Sequence, residues 1–290
     1  MDQKKLIIIL ADISGYTQFM LENQTAAVHG QLIINGLIES ILKQVDIPLT
    51  LQEIEGDAVF LYAAHPGTDA GWKTAVEQVS RKLGKFFDSF VAELGVMAEA
   101  TPCECAVCAN LEKLALKMIV HSGEAVFHEI AGRPQVSGSD VILAHRLLKN
   151  SVTANFYLLL TDAAYDTLGA HLPGSFSSHC ETYDGFGTVN VRVRDLTQDL
   201  LAARDALYTL DEGEFRAAIE SFAQAHSARL VVAAALQQLR HPVRPFSWLQ
   251  KARMLFESAI VVPLATLIYY RRAIPRQMRA RGRRRQRPND

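Results

Sequence analysis

Two aspartates follow apolar segments of this sequence, and their setting suits a divalent cation. Asp12 ends the aliphatic run at residues 6–11 and has Gly15 close behind it, while Asp57 directly follows Gly56. Carboxylates at strand ends are ligands that Mg²⁺ prefers, and a nearby glycine lets a phosphate approach the backbone. Either aspartate alone is better explained as an ordinary residue between a strand and a turn. Together they predict a metal site where two neighbouring strands end.

The surrounding sequence predicts the elements that position these aspartates. Short apolar runs favour strands, and longer segments with apolar residues three or four apart favour helices. The predicted strands are residues 6–11, 49–54, 58–63, 116–120 and 156–160. The predicted helices are residues 27–45, 72–94, 140–149 and 163–168, and a last hairpin turns at residues 181–187. The second and third strands form a hairpin with Asp57 at its tip. The pattern predicts an α+β fold.

Two later segments make the pattern specific. One contains Ile119-Val120-His121-Ser122-Gly123, and the other, residues 138–147, contains Ala144-His145-Arg146-Leu147. With the segments around the two aspartates, they resemble four motifs of the class III adenylyl and guanylyl cyclase catalytic domain: F-x-D-I-x-G-F-T, I-G-D-A, I-x-I-H-x-G and G-x-x-V-N-L-A-A-R-L. The motifs occur in the same order, and the resemblance covers roughly residues 5 to 196. It implies a ferredoxin-like cyclase homology domain over residues 1–198.

The resemblance implies a two-metal site for a nucleoside triphosphate. In the family two Mg²⁺ or Mn²⁺ ions activate the ribose 3′-hydroxyl and carry the triphosphate. Carried over, their ligands are Asp12, Asp57 and the backbone carbonyl of Ile13. The backbone N–H groups expected to help hold the phosphates are those of Ser14, Gly15, Tyr16 and Thr17.

The motif that contains Arg146 both matches the family and departs from it. Arg146 matches the arginine that balances charge on the phosphorus in the transition state. The family places an asparagine four residues earlier, where this chain has Ile142, which cannot hydrogen-bond the ribose. The phosphate-binding lysine that the family carries in its last hairpin is also missing from residues 183–187. A solvent-facing helix arginine is the competing interpretation of Arg146.

Two residues are expected to read the base. Glu53 stands where adenylyl cyclases have lysine and guanylyl cyclases have glutamate, and Gln135 stands where adenylyl cyclases have aspartate or threonine. A carboxylate accepts hydrogen bonds from guanine, and an amide donates to a carbonyl of guanine or a pyrimidine. Guanine or a pyrimidine is therefore favoured over adenine. The alternative for Glu53 is an ordinary surface position on a strand.

A cysteine cluster lies outside the resemblance. Cys103, Cys105 and Cys108 stand within six residues. Three thiolates can bind one Zn²⁺ when a fourth ligand joins them, for which His121, His179 and Cys180 are candidates. Three reduced cysteines in a loop, or a redox-sensitive loop, are the alternatives.

Composition separates an acidic body from a basic end. The 290 residues have a formal net charge of −1, yet the last twenty contain nine arginines. Residues 199–243 are expected to form a helical extension, and residues 244–290 join an apolar segment at 254–270 to the arginine-rich tail. No cleavable leader is apparent after Met1, so the expected location is the cytoplasm, on the inner face of the membrane.

The apolar segment and the tail together predict an anionic membrane surface as a partner. At 17 residues, with Glu257 and Pro263 inside it, the segment is short for a span. Spanning would also export the arginines, against the positive-inside tendency. An interfacial segment with Trp248, Tyr269 and Tyr270 at the headgroups avoids this conflict. A buried helix followed by a tail that binds nucleic acid is the alternative.

Two functions follow from the resemblance. The first is a divergent nucleotidyl cyclase, acting as a head-to-tail homodimer in which one chain supplies Asp12 and Asp57 and its partner supplies Glu53, Gln135 and Arg146. It would convert a nucleoside triphosphate to a cyclic monophosphate and pyrophosphate. The second is an inactive cyclase-like domain that binds a nucleotide or a partner at the membrane, as Ile142 suggests.

Overall fold

The computed structural model describes residues 2–22, 27–100 and 110–207, together with Gly213. The strands are β1 Asp2–Ser14, β2 Thr50–Glu55, β3 Ala58–Ala64, β4 Ala115–Ile130, β5 Arg133–Ser137, β6 Tyr157–Thr161, β7 Ser177–Tyr183 and β8 Gly187–Asp195. The α-helices are α1 Tyr16–Glu22, α2 Ala27–Leu42, α3 Asp69–Ala100, α4 Ser139–Leu147, α5 Asp162–Leu168 and α6 Thr197–Leu207. Single 3₁₀ turns occupy Leu111–Lys113 and Gly169–His171.

The strands form one mixed sheet that is mostly antiparallel. Its order is β2-β3-β1-β4-β6-β8-β7, with β5 paired to the far end of β4. The β4–β6 pair is parallel, and the other pairs are antiparallel. This is the α+β architecture expected from the sequence, with β1 in the middle, so the residues that end β1 lie inside the sheet rather than at its edge.

Both faces of β1 are buried, which explains its unbroken aliphatic run. Leu6, Ile8 and Leu10 belong to a core cluster that includes residues of α4. Ile7 and Ile9 point to the opposite face, and both are fully buried. A strand covered on both faces reads as a continuous apolar segment rather than an alternating one.

The long helix α3 carries its apolar residues at helical spacing. Val79, Leu83 and Phe86 are all buried. Phe87 packs edge-on against Phe156, just before β6, with ring centroids 5.0 Å apart. Phe90 contacts the same ring, at 6.4 Å. The helix therefore anchors the start of β6.

Some elements are longer than predicted, and one strand was missed. β1 and β4 extend beyond residues 6–11 and 116–120, because their outer ends pair with each other down to Asp2 and Phe127. The missed strand is β5, which joins β4 through a turn at Ala131 and Gly132, both with positive φ. Positive φ at both residues of a two-residue loop is the type I′ hairpin geometry. The hairpin is largely exposed and has no apolar run, so hydrophobic periodicity could not reveal it.

The described residues fall into two compact units. One consists of Met1–Tyr16, Leu37–Val91 and Lys113–Ala202, and it holds the whole sheet. The other includes Thr17–Gly36 and Ala92–Glu112. Within it, α1 lies close to α2, since a Cβ on Gly30 would be 3.1 Å from Met20 Sδ. The predicted boundary at residue 198 stays a prediction.

The predicted membrane segment at 254–270 and the arginine tail lie outside the described residues, as does all of the extension beyond Leu207 except Gly213. Within the ranges that are described, no helix has both the length and the hydrophobicity to cross a membrane.

Candidate functional site

Asp12 and Asp57 meet at one end of the sheet. Asp12 pairs with Ala58 at the last register position between β1 and β3, so the turn before β3 carries Asp57 alongside it. Gly56 has a φ of +65°, and Asp57 is not among the residues with positive φ. That combination matches the type II′ turn, which requires glycine at its first position. The two carboxyl groups lie close enough for the charge of Asp12 to act on Asp57, so the structure brings together both predicted metal ligands.

Lys117, which the sequence analysis did not select, forms an ion pair with Asp12 at this end of the sheet. Lys117 of β4 pairs in register with Asp12 on one side and with Tyr157 of β6 on the other. Its Nζ lies 2.8 Å from Asp12 Oδ2, and both side chains are mostly buried. The same Nζ donates to the carbonyl of Leu148 just after α4, at 3.2 Å. Lys117 therefore ties the carboxyl pair to the end of α4.

Burial and the charge of Asp12 raise the pKa of Asp57 to about 7. A backbone hydrogen bond and the Lys117 charge oppose this rise. Two neighbouring carboxylates cannot both ionise cheaply, so in the absence of a cation Asp57 releases its proton only near pH 7. A bound cation would lower the cost of ionising Asp57 and would share Asp12 with Lys117.

The raised pKa predicts how stability depends on pH in metal-free protein. The folded pKa of Asp57 lies above its ordinary value of 3.8, so the folded state holds a proton that the unfolded chain releases. Stability is therefore lost as pH rises from about 4 to about 7. We expect Asp57→Asn to raise the free energy of unfolding at pH 8 by about 1–3 kcal/mol after allowance for partial exposure, with no gain at pH 4.

Chemical denaturation of metal-free protein at both pH values measures this effect. Asp184→Asn is the matched control, because Asp184 is an exposed aspartate in the β7–β8 turn. It should change stability by less than about 0.5 kcal/mol at either pH. A gain for Asp57→Asn that is equal at pH 4 and pH 8 would contradict the assignment.

The donor set fits Mg²⁺ or Mn²⁺ accompanied by phosphates, and it does not make a closed protein cage. No group of three or more His, Cys, Asp or Glu residues within the described ranges could hold a metal. Mg²⁺ is commonly bound by one or two carboxylates together with substrate phosphates and water. Ile13, the predicted carbonyl ligand, lies one position beyond the last β1–β3 pair. Asp12 and Asp57 thus suit a Mg²⁺ or Mn²⁺ ion whose remaining ligands come from outside the protein.

The segment predicted to hold phosphates begins directly after β1. Ser14 is the last residue of β1, and Tyr16 begins α1. Between them Gly15 has a φ of +86°, and a Cβ there would lie 2.8 Å from the carbonyl oxygen of Lys113. Only glycine tolerates both the conformation and the close approach. The phosphate role of residues 14–17 stays a prediction.

Helix α4 presents the predicted Arg146 to solvent rather than to the core. Val141, Ala144 and Leu147 face the sheet, whereas Ile142 is 53% exposed. Ile142 and Arg146 both line an open groove of about 390 Å³. An isoleucine therefore occupies the groove position where the resembling family has asparagine.

The segments that carry Glu53 and Gln135 are held next to each other. The side chain of Gln52 donates to the carbonyl of Pro134 at 3.1 Å, which links β2 to β5 one residue away from each predicted base contact. Glu53 is exposed next to an irregularity in the β2–β3 register, and Gln135 is half-buried opposite His128. Their role in reading a base stays a prediction.

The segment that contains His121 and Gly123 packs against the start of α4. His121 Nδ1 shares a 2.8 Å hydrogen bond with Thr161 Oγ1, and burial lowers the pKa of His121. Asp140, at the start of α4, accepts from the N–H of Glu124 at 2.6 Å. A Cβ on Gly123 would be 2.1 Å from the same carboxylate oxygen. Glycine at 123 thus lets Asp140 lock α4 onto β4, which explains the glycine of this motif by packing.

A second network fixes the other end of α4. The buried Glu181 of β7 accepts from the N–H and the hydroxyl of Ser151, at 2.9 and 2.6 Å. Asn150 donates to the carbonyl of Leu147 at 2.7 Å and also contacts the Tyr157 hydroxyl. Sequence reasoning missed this network because Glu181 lies 30 positions from Ser151 in the chain.

Lys117 carried a signal that could have been found. It is a charged residue inside the apolar run at residues 114–120, and a buried lysine requires an anionic partner.

The predicted zinc ligands Cys103, Cys105 and Cys108 lie outside the described residues, so the zinc site stays a prediction.

Comparisons with known sequences give no established activity. Residues 34–157 match a family model described as "Protein of unknown function (DUF2652)". The chain is 28% identical over 165 residues to "Uncharacterized protein Rv2561/Rv2562" of Mycobacterium tuberculosis, covering 57% of this chain and 74% of that protein.

Solved structures give the fold. A bacterial light-regulated adenylyl cyclase matches with a TM-score of 0.50 and 15% identity, over 71% of this chain and 58% of that one. Adenylyl cyclase CyaB from P. aeruginosa matches with a TM-score of 0.48 and 18% identity, over 67% and 95%. A guanylyl cyclase domain from the fungus Blastocladiella emersonii gives 0.46 and 13%, over 67% and 97%. On the first of these likenesses, the chain has the fold of nucleotidyl cyclase domains.

Proposed function

We propose that this chain is a divergent nucleotidyl cyclase, which converts a nucleoside triphosphate to a cyclic nucleoside monophosphate and pyrophosphate. The observation that carries the proposal is the position of Asp57 beside Asp12 at the end of β1, where the charge of one acts on the other. It supports a cation site at the position where the motifs predict one, within a fold that cyclase domains share.

The reaction is an intramolecular displacement at the α-phosphorus. The ribose 3′-oxygen forms a bond to that phosphorus and loses its proton to solvent, while the bond from the phosphorus to the leaving pyrophosphate breaks. Two Mg²⁺ or Mn²⁺ ions, held by Asp12, Asp57 and the Ile13 carbonyl, would supply positive charge that favours the deprotonated oxygen and the leaving group. Arg146 would balance charge that develops on the phosphorus.

Lys117 supplies positive charge to this site from the protein itself. Its ammonium group neutralises Asp12 at 2.8 Å in the absence of a cation. Glu53 and Gln135 would read the base, for which guanine or a pyrimidine suits a carboxylate and an amide better than adenine does.

Incubation with each of the four triphosphates and Mg²⁺ or Mn²⁺, followed by mass analysis of the products, tests the proposal. A cyclic monophosphate and pyrophosphate in equal amounts, formed by the parent and not by Asp57→Asn, would support it. A triphosphate that binds in a metal-dependent way without any cyclic product would instead identify an inactive nucleotide-binding domain. The exposed Ile142 in the groove is the feature that would favour that outcome.

The arginine tail is proposed to bind anionic lipid. An apolar segment inserted at the interface and several arginines, each worth about 1 kcal/mol near an anionic surface, add their contributions. We expect the full chain to float with vesicles that contain phosphatidylserine, and a chain lacking residues 246–290 to stay behind.

A full-length variant with the nine tail arginines replaced by glutamine separates charge from apolar insertion. It should lose most of its preference for anionic over neutral vesicles. Equal flotation of the full and shortened chains would refute the lipid assignment. Salt-sensitive binding of the tail to nucleic acid in place of lipid would favour the alternative partner.

A further inference from the structure

The open groove beside α4 is lined by basic and apolar side chains. It is lined by Val141, Ile142, His145, Arg146 and Lys149 and has a volume of about 390 Å³. Two of these side chains, Arg146 and Lys149, are basic, and none is a carboxylate. A groove with this lining is complementary to an anion that also has an apolar part.

Two basic side chains, Arg146 and Lys149, lie close together in this groove. Lys149 lies two residues beyond the end of α4, its N–H donates to the carbonyl of Arg146 at 3.0 Å, and both side chains line the groove. Both are exposed, and neither forms an ion pair with any residue in the described ranges. Arg192, by comparison, pairs with Asp162. Adjacent like charges repel, so an anion that touches both would be stabilised.

Basic residues at a helix end often serve only to satisfy the last carbonyl groups. Here other side chains perform that task. The carbonyl of Leu147 accepts from Asn150 at 2.7 Å. Those of the next two residues accept from Lys117 at 3.2 Å and from Tyr183 at 3.0 Å. The side chains of Arg146 and Lys149 are therefore not needed to cap α4.

The backbone that carries Lys149 is held in place from two directions. The Tyr183 hydroxyl, on β7, donates to the carbonyl of Lys149 itself. Lys117, which bonds the preceding carbonyl, also contacts Asp12. Lys149 thus projects from a fixed helix end, a favourable arrangement because little backbone freedom is lost when an anion binds.

We propose that Lys149 and Arg146 form a two-cation clamp for neighbouring phosphates of a polyphosphate chain, with Lys149 as a phosphate-binding residue of the nucleotide site. The identification of the chain as that of a nucleoside triphosphate rests on the proposed function. The clamp itself requires only two linked phosphates, so it predicts binding of inorganic tripolyphosphate as well.

Binding of GTP, GMP and inorganic tripolyphosphate to the full-length protein tests the clamp, in Mg²⁺ and in EDTA. Lys149→Gln should weaken GTP and tripolyphosphate about tenfold to a hundredfold, the worth of a charge-assisted hydrogen bond, and GMP by less than about twofold. The loss should shrink as salt is raised. Lys149→Arg should keep most of the affinity.

Lys73→Gln is the matched control, since Lys73 is an exposed lysine on α3. Affinities for Lys149→Gln that equal those for Lys73→Gln would overturn the clamp. If GTP binding then still required Asp57, the proposed function would be supported although the clamp was not. Tripolyphosphate binding that requires Lys149, without any metal-dependent GTP binding, would support the clamp and would contradict a nucleoside triphosphate as its ligand. Absence of binding by the parent to all three probes would overturn both. Thermal unfolding of each variant verifies that it is folded.

Discussion

Replacement of Asp12 or Asp57 with alanine is expected to abolish the thermal stabilisation that Mg²⁺ or Mn²⁺ with a nucleoside triphosphate gives the parent. The two carboxyls lie beside each other at the end of β1, and each would lose its partner in holding a cation. At a ligand concentration of about 100 times Kd, binding should stabilise the parent by about 2.7 kcal/mol. For a chain of this size that corresponds to a rise in Tm of about 5–10 °C.

Thermal unfolding with metal alone, nucleotide alone and both together measures the effect. The parent should respond fully only to both together, and EDTA should remove the response. Asp184→Ala, a change to an exposed turn aspartate far from the site along the chain, should respond as the parent does. A double variant of Asp12 and Asp57 that retains the full Mg²⁺-dependent shift would remove the basis of the cyclase proposal.

Mixing two inactive variants is expected to restore cyclase activity if the site is shared between two copies of the chain. In this proposal one copy supplies Asp12 and Asp57, and the other supplies Arg146 from the exposed face of α4. Asp57→Ala should abolish turnover, and Arg146→Ala should lower kcat by about a hundredfold to a thousandfold. A heterodimer of the two contains one intact site and one doubly defective site.

Random exchange of subunits would make about half the dimers mixed, so recovery should approach about a quarter of the parent activity. Asp57→Ala mixed with Asp12→Ala is the control, because both changes affect the same half of the site and no intact site can form. Sedimentation under assay conditions gives the oligomeric state. Lack of recovery in a preparation shown to exchange subunits, or an active monomer, would contradict the shared site.

The sequence alone predicted the parts of this chain that depend on local pattern. The aliphatic run before Asp12 indicated β1, and the glycine before Asp57 indicated the β2–β3 turn. The helical spacing of apolar residues indicated α3. Each of these elements is visible in sequence because the side chains that a strand or helix buries recur at a regular spacing. The meeting of Asp12 and Asp57 followed from one hairpin and one neighbouring strand, so the order of motifs was sufficient to predict it.

Only the tertiary structure decided which polar residues surround that pair. Lys117 reaches Asp12 because β4 lies beside β1 in one register, and a shift by a single residue would turn it to the other face. Glu181 holds Ser151, just beyond the end of α4, although the two residues are 30 positions apart in the chain. Such contacts leave no periodic signal, because each depends on the three-dimensional path of the chain rather than on its neighbours in sequence.

The cation pair of Arg146 and Lys149 is visible in sequence as two basic residues. The structure makes it a candidate site, because other side chains already satisfy the carbonyls that these two would otherwise cap.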